Sequence, residues 1–315
     1  MVGGDPTRFF RAGVIGCGMI GAQAEADLVR PKPATHVGAW RGHPRVILDS
    51  VCDLSLDRAQ SVGNVFTYEA LPEMLETRGS ELDILSVATP SETHPGIVQE
   101  ILRRCQPRVI VCEKPIALSS AEGGDMVARC REHDVVLLVN HLRRFDPVLR
   151  GEVAHMGRII GAPRTAVGRY SGGLREGGVH MVDLMRMFLG EGRVVAAASG
   201  DVLLDFGGVR AVLLGHDIAE HVVFDLTVEG DLGALHIERF GLDVRWDRAK
   251  DGYPLASGYR ALAPHGAWRD LAPRSFFRAM ADHVVAVLDG KEDPVSTGED
   301  GVATLALIET IEATG

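Results

Sequence analysis

Val14-Ile15-Gly16-Cys17-Gly18-Met19-Ile20-Gly21 is the stretch that decides how the first half of the chain is read. It sets G-x-G-x-x-G directly behind an apolar run, Ala12-Gly13-Val14-Ile15, and at the start of a segment read as a helix. In a strand-to-helix turn of this kind the first glycine permits the tight reversal. The second lets backbone N–H groups approach a pyrophosphate, and the third lets helix and strand pack closely. The helix N-terminus then turns its partial positive charge on the phosphates. Gly16, Gly18, Met19, Ile20 and Gly21 are therefore the expected dinucleotide cradle, against the alternative of a glycine-rich turn with no ligand.

Outward from that turn, apolar runs of strand length recur at Val46-Ile47-Leu48 to Val51-Cys52, Leu82 to Val87, Arg108 to Cys112 and Val135 to Val139. They are rich in Val, Ile and Leu and mostly continuous, as strands covered on both faces of a parallel sheet are. Helix-length segments separate them, at Ser55–Val62, Leu71–Arg78, His94–Arg104 and Ser119–His133. Strand and helix in alternation predict right-handed crossovers and a doubly wound α/β sheet, a Rossmann domain over residues 1–145. Its second strand ends in Asp53, a carboxylate suited to the adenosine ribose hydroxyls and repulsive to a 2′-phosphate. That favours NAD, although Arg58 on the next helix leaves NADP open. Asp53 lies about 30 residues past the glycines, where the fingerprint expects about 20. Pro31-Lys32-Pro33-Ala34-Thr35-His36 accounts for the difference as an insertion that interrupts the first helix, which resumes over Val37–Arg41.

The pattern changes after Asp146-Pro147. A helix over Pro147–Met156 leads into alternating stretches at Arg210–His216 and His221–Val228, more extended chain over Leu235–Trp246, and helices at Ser275–Leu288 and Glu299–Ala313. This predicts a second, α+β domain over residues 146–315 with a largely antiparallel open sheet, its last helix able to pack back on the first domain. The stretch from Asp251 to Pro273 reads as a long surface loop.

Thirty-three Lys and Arg against 43 Asp and Glu give a net charge of −10. That balance disfavours nonspecific binding to nucleic acid or anionic membrane and leaves room for a small substrate. Met1–Pro6 lacks the features of a signal peptide, and no apolar run approaches the length of a membrane span. The five cysteines include no CxxC pair and read as reduced core thiols in a cytoplasmic protein. The histidines lack metal-ligand spacing, so no metal site is expected.

Two clusters carry candidate chemistry. Cys112-Glu113-Lys114-Pro115 closes the fifth strand, and ligands of open parallel sheets bind beyond the carboxyl ends of the strands. Lys114 is thereby expected to face the cofactor cleft, where its ammonium can hydrogen-bond a substrate hydroxyl; a surface lysine without a role fits those residues equally well. The second cluster is Gly172-Gly173-Leu174-Arg175-Glu176-Gly177-Gly178-Val179-His180-Met181-Val182-Asp183. Apolar residues at Val179, Val182, Met185 and Leu189 give it a helical period from Gly178. Glu176 then precedes the helix, with His180 and Asp183 one turn apart within it. Histidine suits proton exchange with a hydroxyl, and Asp183 could orient its ring; taken alone, such a histidine is more often structural.

Together these pieces resemble the glucose–fructose oxidoreductase/inositol dehydrogenase (Gfo/Idh/MocA) family over nearly the whole chain. The ordered set is Gly16–Gly21, Asp53, Ala88-Thr89-Pro90 with His94, Glu113-Lys114-Pro115, Arg144-Phe145, Gly178/His180/Asp183 and Gly298-Glu299-Asp300. The resemblance implies hydride transfer between NAD(P) and a secondary alcohol or ketone of a sugar, cyclitol or related polyol. It makes Lys114 and His180 the core of the active site, and sets Ala88, Thr89, Pro90, His94 and Glu113 beside the cofactor. The family usually carries Asp four residues before that histidine, where this chain has Glu176. Arg144, Arg175, Glu176, His180 and Lys114 become candidate substrate ligands, while Arg143, Arg169 and Arg175 could equally form internal ion pairs. The family also contains redox-neutral hydrolases and lyases that keep NAD bound, and a non-catalytic dinucleotide sensor is a third reading. Homo-oligomerisation, as dimer or tetramer, through the open face of the second sheet follows from the resemblance too.

Overall fold

A computed structural model describes residues 8–198, 200–216, 221–251, 260–266, 269–270 and 275–315. Met1–Pro6, read above for targeting signals, lies outside the described residues. The chain divides into two compact units, Met1–Asp146 with Ser275–Leu305, and Pro147–Arg274 with Ala306–Gly315.

The first unit holds a parallel sheet of β1 (Phe10–Ile15), β2 (Val46–Cys52), β3 (Phe66–Tyr68), β4 (Ile84–Val87), β5 (Val109–Cys112) and β6 (Val136–Val139), in the order β3-β2-β1-β4-β5-β6. Every residue of β4 and β5 is buried, so their continuous apolar runs reflect cover on both faces. Val14, Val51, Ile84, Val109 and Val111 face one apolar cluster, while Ile15, Cys52, Leu85, Val87, Ile110 and Cys112 face another. On the second face lie α3 (Leu71–Arg78), α4 (His94–Arg104) and α5 (Ser120–Glu132), the last begun by a capping box between Ser119 and Glu122.

The other face is covered by α1 (His36–Gly42) and by α9 (Phe276–Leu288), a helix from near the end of the chain. Phe277, Met280, Ala281, Val284 and Leu288 of α9 are buried beside Trp40 of α1. Residues 275–305 thus group with the first unit, where sequence order alone assigned them to the second. Nothing in α9's own pattern marks which sheet its apolar stripe will cover. Helix α2 (Leu56–Ser61) follows β2, and α6 (Leu142–Phe145) follows β6.

The second unit is built on β7 (Pro163–Ser171), β8 (Arg193–Ala198), β9 (Asp201–Phe206), β10 (Val209–His216), β11 (Phe224–Gly230), β12 (Gly233–Glu238), β13 (Asp243–Asp251) and β14 (Arg260–Pro264), ordered β14-β13-β12-β11-β7-β10-β9-β8. A short β15 (Arg269–Asp270) pairs with β13. All pairings are antiparallel except β7 with β10. Strands β14 and β15 fall inside the stretch read as a loop, and residues 252–259, 267–268 and 271–274 lie outside the described residues. Helices α7 (Pro147–Ile160) and α8 (Val179–Leu189) bury Leu149, Met156, Val182 and Met185 against Leu204, Leu213, Leu226 and Leu235 of the sheet. Helix α10 (Gly298–Thr314) crosses the boundary between the two units at Leu305.

Candidate cofactor and catalytic sites

The glycine turn begins where β1 ends. Gly16 adopts φ +94°, a conformation costly to any residue with a side chain, and a Cβ there would collide with the carbonyl of Ala88. Its amide donates to Cys52 O at 2.8 Å, binding the turn to the end of β2. A Cβ on Gly21 would run into Gly16 O, so the turn folds back tightly on itself. Gly18 differs: a Cβ there would meet nothing within 4 Å. The N–H groups of Gly18, Met19 and Ile20 have no acceptor among the described residues. Open space above a row of unaccepted amides is a cradle for an anion, and it fits a pyrophosphate.

The expected helix does not follow directly. A 3-10 segment, Gln23–Ala26, leads into an excursion, and α1 starts only at His36. His36 N then donates to Ile20 O at 3.1 Å and Val37 N to Gly21 O at 2.9 Å. These are the bonds residues 24 and 25 would make in an uninterrupted helix, so the excursion covers residues 24–35. Glu25 closes its base by accepting from Ala34 N at 2.9 Å and Thr35 Oγ1 at 2.8 Å, while Thr35 caps α1. With 24–35 set aside, Asp53 falls about 20 residues past the last glycine, the fingerprint spacing. The anion cradle therefore rests first on the turn's own amides, because the helix that follows them is interrupted before α1 re-enters on Ile20 O and Gly21 O.

Asp53 is buried at the end of β2 and already engaged. Its Oδ2 accepts from Cys17 N at 2.8 Å, and its Oδ1 accepts from Ser55 N at 2.8 Å and from Arg58 Nε and Nη2 at 3.0 and 2.9 Å. Burial pushes its carboxyl upward, but the Ser55 and Cys17 amides and the Arg58 guanidinium leave it below the ordinary carboxylate range. Burial also pushes the Cys17 and Cys52 thiols up to about 12, so neither supplies a thiolate at neutral pH.

A cleft of about 550 Å³ opens beside these groups, lined by Gly16, Gly18, Asp53, Ala88, Thr89 and Pro90 from the predicted set. Leu54, Arg58, Thr93 and Ile97 also line it. Leu54 and Ile97 carried no motif; their signal was apolar character one residue past Asp53 and one turn into α4. Met19, Ile20, Gly21, His94, Glu113 and Lys114 do not line it. Met19 is exposed and Ile20 packs on the core. His94 is fully buried, its ring joining Thr89 O at 2.9 Å to Ile116 O at 3.2 Å. It braces the loops after β4 and β5 from behind the cleft wall. Glu113 likewise bonds inward, to His36 Nε2 at 3.0 Å and Asn140 Nδ2 at 2.6 Å. Lys114 is half-buried one residue beyond, at the end of a strand neighbouring β4. Arg144, a candidate substrate ligand, bonds Asp300 at 2.9 Å, and Arg143 lies 5.9 Å from the Phe276 ring centroid.

In the second unit, Leu174–Gly178 forms a π-helical turn running straight into α8, where a coil was expected before the helix. Such turns recur at functional sites because they re-aim side chains. Gly177 sits where a Cβ would strike Ser171 O, and Gly178 lies against the Tyr170 ring. Glu176 is exposed on this turn, His180 is half-buried in the first turn of α8, and Asp183 is buried. Arg175 makes a bidentate pair with Glu312 at 2.8 and 2.7 Å. Arg169 is exposed on β7. Among the described residues, no group of three His, Cys, Asp or Glu side chains could hold a metal ion, and no helix is long and apolar enough to cross a membrane.

The sequence model of the family GFO_IDH_MocA, an oxidoreductase family with an NAD-binding Rossmann fold, matches residues 10–141. A D-apiose dehydrogenase of Paraburkholderia graminis is 26% identical over 95% of this chain and 86% of its own length. An inositol 2-dehydrogenase of Rhizobium meliloti is 24% identical over 95% and 94%. Among solved structures, a 3-ketoreductase from Actinomadura kijaniata in complex with NADP superposes with a TM-score of 0.73 at 20% identity, covering 98% of both chains. An oxidoreductase from Agrobacterium radiobacter, in complex with NAD+, L-tartaric acid and magnesium, gives 0.71 at 17% identity over 97% and 96%. The structural likenesses establish the fold.

Proposed function

We propose that the chain is an oxidoreductase of the Gfo/Idh/MocA type, which transfers hydride between NAD(P) and a secondary alcohol or ketone of a sugar, cyclitol or related polyol. The observation that carries the proposal is the cleft at the strand ends. Gly18 lines it and begins the run of unaccepted amides that continues through Met19 and Ile20, Asp53 lines its side, and Lys114 follows the next strand but one. When bound, the dinucleotide supplies the hydride acceptor or donor. Gly16–Gly21 and Asp53 bind it, and Ala88, Thr89 and Pro90 shape the wall of the cleft. Lys114 holds the substrate hydroxyl oxygen through its ammonium, and His180 takes or returns the hydroxyl proton. Glu176 stands in for the family's usual Asp as a carboxylate that binds or orients.

The order of cofactor preference follows from charge. Asp53 opposes a 2′-phosphate, which favours NAD; its pairing with Arg58 offsets part of that charge and keeps NADP available. We place the activity in the cytoplasm, on five free cysteines of which four are buried. A homo-oligomer formed through the open face of the second sheet completes the reading, checked by light scattering.

Parallel titrations with NADH and NADPH, followed by fluorescence, test the proposal. Tight NADH binding with weaker NADPH binding, then NAD reduction by one of a panel of sugars and cyclitols, is the expected outcome. Binding of neither nucleotide to protein freed of bound nucleotide would overturn it. Retained NAD that is never consumed would favour the redox-neutral branch instead.

A further inference from the structure

Behind the strand end that carries Lys114, two side chains and a backbone amide share one half-buried carboxylate. Glu113 Oε1 accepts from His36 Nε2 at 3.0 Å and from Asn140 Nδ2 at 2.6 Å, and Glu113 Oε2 accepts from the backbone amide of Lys114 at 3.2 Å. His36 is wholly enclosed, edge-on to Phe277 with ring centroids 5.3 Å apart. Its other nitrogen, Nδ1, and Asn140 Oδ1 are buried with no hydrogen-bond partner. The tautomer that leaves no orphaned N–H is the neutral ring protonated on Nε2, which donates to Glu113. Burial pushes the Glu113 carboxyl upward, but the His36, Asn140 and Lys114 donors bring it below the usual carboxylate range. Glu113 is thus held by three donors, His36 Nε2, Asn140 Nδ2 and the Lys114 amide.

Such a group reacts strongly to the loss of one donor. A half-buried carboxylate left short beside an enclosed ring must take a proton, admit water or turn toward another donor. Each response disturbs the bond to the Lys114 amide, which lies in the same short turn. The excursion over 24–35 shows how closely His36 is specified. The chain leaves the helix for these residues and returns so that His36 and Val37 bond Ile20 O and Gly21 O. This re-entry register delivers the ring to Glu113 and ties the glycine turn, through one side chain, to the end of β5.

We propose that His36 is a positioning residue: by donating to Glu113 it holds the strand end that presents Lys114, and it couples that end to the cofactor turn. The inference rests on the reading of Lys114 as the residue that meets the substrate hydroxyl. It extends that reading to a side chain distant in sequence, with no place in the cleft.

The test compares His36→Leu, His36→Gln and the double variant His36→Leu/Glu113→Gln in the full chain, with Lys114→Ala as reference. One readout needs neither cofactor nor substrate: the rate at which an amine-acylating reagent labels Lys114, followed by peptide mass spectrometry. His36→Leu is expected to raise that rate several-fold while the NADH Kd stays within about twofold. His36→Gln, whose amide can donate from the same place, returns the rate to the wild-type value. The double variant also returns it, because a neutral amide at 113 no longer demands the missing donor. With the alcohol found by the polyol panel, kcat falls about tenfold in His36→Leu and KM for NAD does not follow. If His36→Leu fails to fold, His36→Asn, too short to reach Glu113, takes its place. Wild-type acylation in the unbonded variant, or a raised rate that neither His36→Gln nor the double variant corrects, would overturn the role of His36. Full turnover in Lys114→Ala would overturn the reading of Lys114 itself, however the His36 variants behave.

Discussion

Each unit has a glycine-rich turn between a strand and a helix, and the two turns use their glycines in opposite ways. After β1, Gly16 and Gly21 allow the chain to double back, and Gly18 leaves both space and unaccepted amides beside the cleft. After β7, the amides of Glu176, Gly177 and Gly178 all donate to Gly173 O, at 3.1, 2.9 and 3.1 Å. Gly177 and Gly178 are there for close packing on Ser171 and Tyr170. The first turn thus offers its backbone to a ligand. The second spends its backbone internally and presents side chains, Glu176 and His180. Glycine in a turn is a statement about space, and only the fate of the N–H groups tells whether that space is for a ligand or for the protein.

The comparison breaks most sharply at the side chains. His180→Ala, like Lys114→Ala, is expected to lower turnover about a hundredfold or more while the NADH Kd stays within about twofold. A matching loss of NADH binding in His180→Ala would mean that the second turn also serves the cofactor. Gly18→Val should do the reverse. Its side chain fills the space over the amides, so NADH binding weakens about tenfold or more while the thermal midpoint holds, since no protein atom lies within 4 Å of that Cβ. A midpoint that falls with binding intact would refute the open cradle.

Gly178→Val sharpens the contrast from the other side. Its Cβ would meet Leu174 Cδ1 at 2.8 Å and the Tyr170 ring at 3.0 Å. Overpacking of that kind costs about 1–3 kcal/mol, read in denaturant unfolding, with NADH affinity unaffected. The smallest effect is on pH. Asp53 is held below its ordinary range in the folded chain, so its bonds to the turn stabilise fully above the unfolded carboxylate value, about 4. That stabilisation is lost as pH falls through the lower, folded value. Asp53→Asn should flatten this acid limb of the stability curve; an unchanged limb would show that Asp53 does little to hold the first turn.

Much of this was readable from local pattern. The parallel sheet announced itself in continuous Val-, Ile- and Leu-rich runs, because burial on both faces leaves no polar alternation. The gap before Asp53 pointed to an insertion through Pro31 and Pro33, and the excursion lies there. The π-helical turn at Leu174–Gly178 left no such mark, since its period over so few residues cannot be told from a loop. Strands β3, β8 and β9 also escaped. Phe66–Tyr68 is too short to show a period, and Arg193–Ala198 is an edge strand with largely exposed residues.

By itself the amino-acid sequence determined which residue types stand at the strand ends: the glycines after β1, Asp53 after β2, Lys114 after β5 and His180 near the start of α8. Those follow from short-range rules of backbone geometry and burial. The tertiary structure alone decided which polar groups are already spoken for. Arg175 finds Glu312 across 137 residues, Arg144 finds Asp300 across 156, and His36 finds Glu113 across 77. A charge or a ring nitrogen takes whichever partner folding brings within about 3 Å, and separation along the chain carries no information about that meeting.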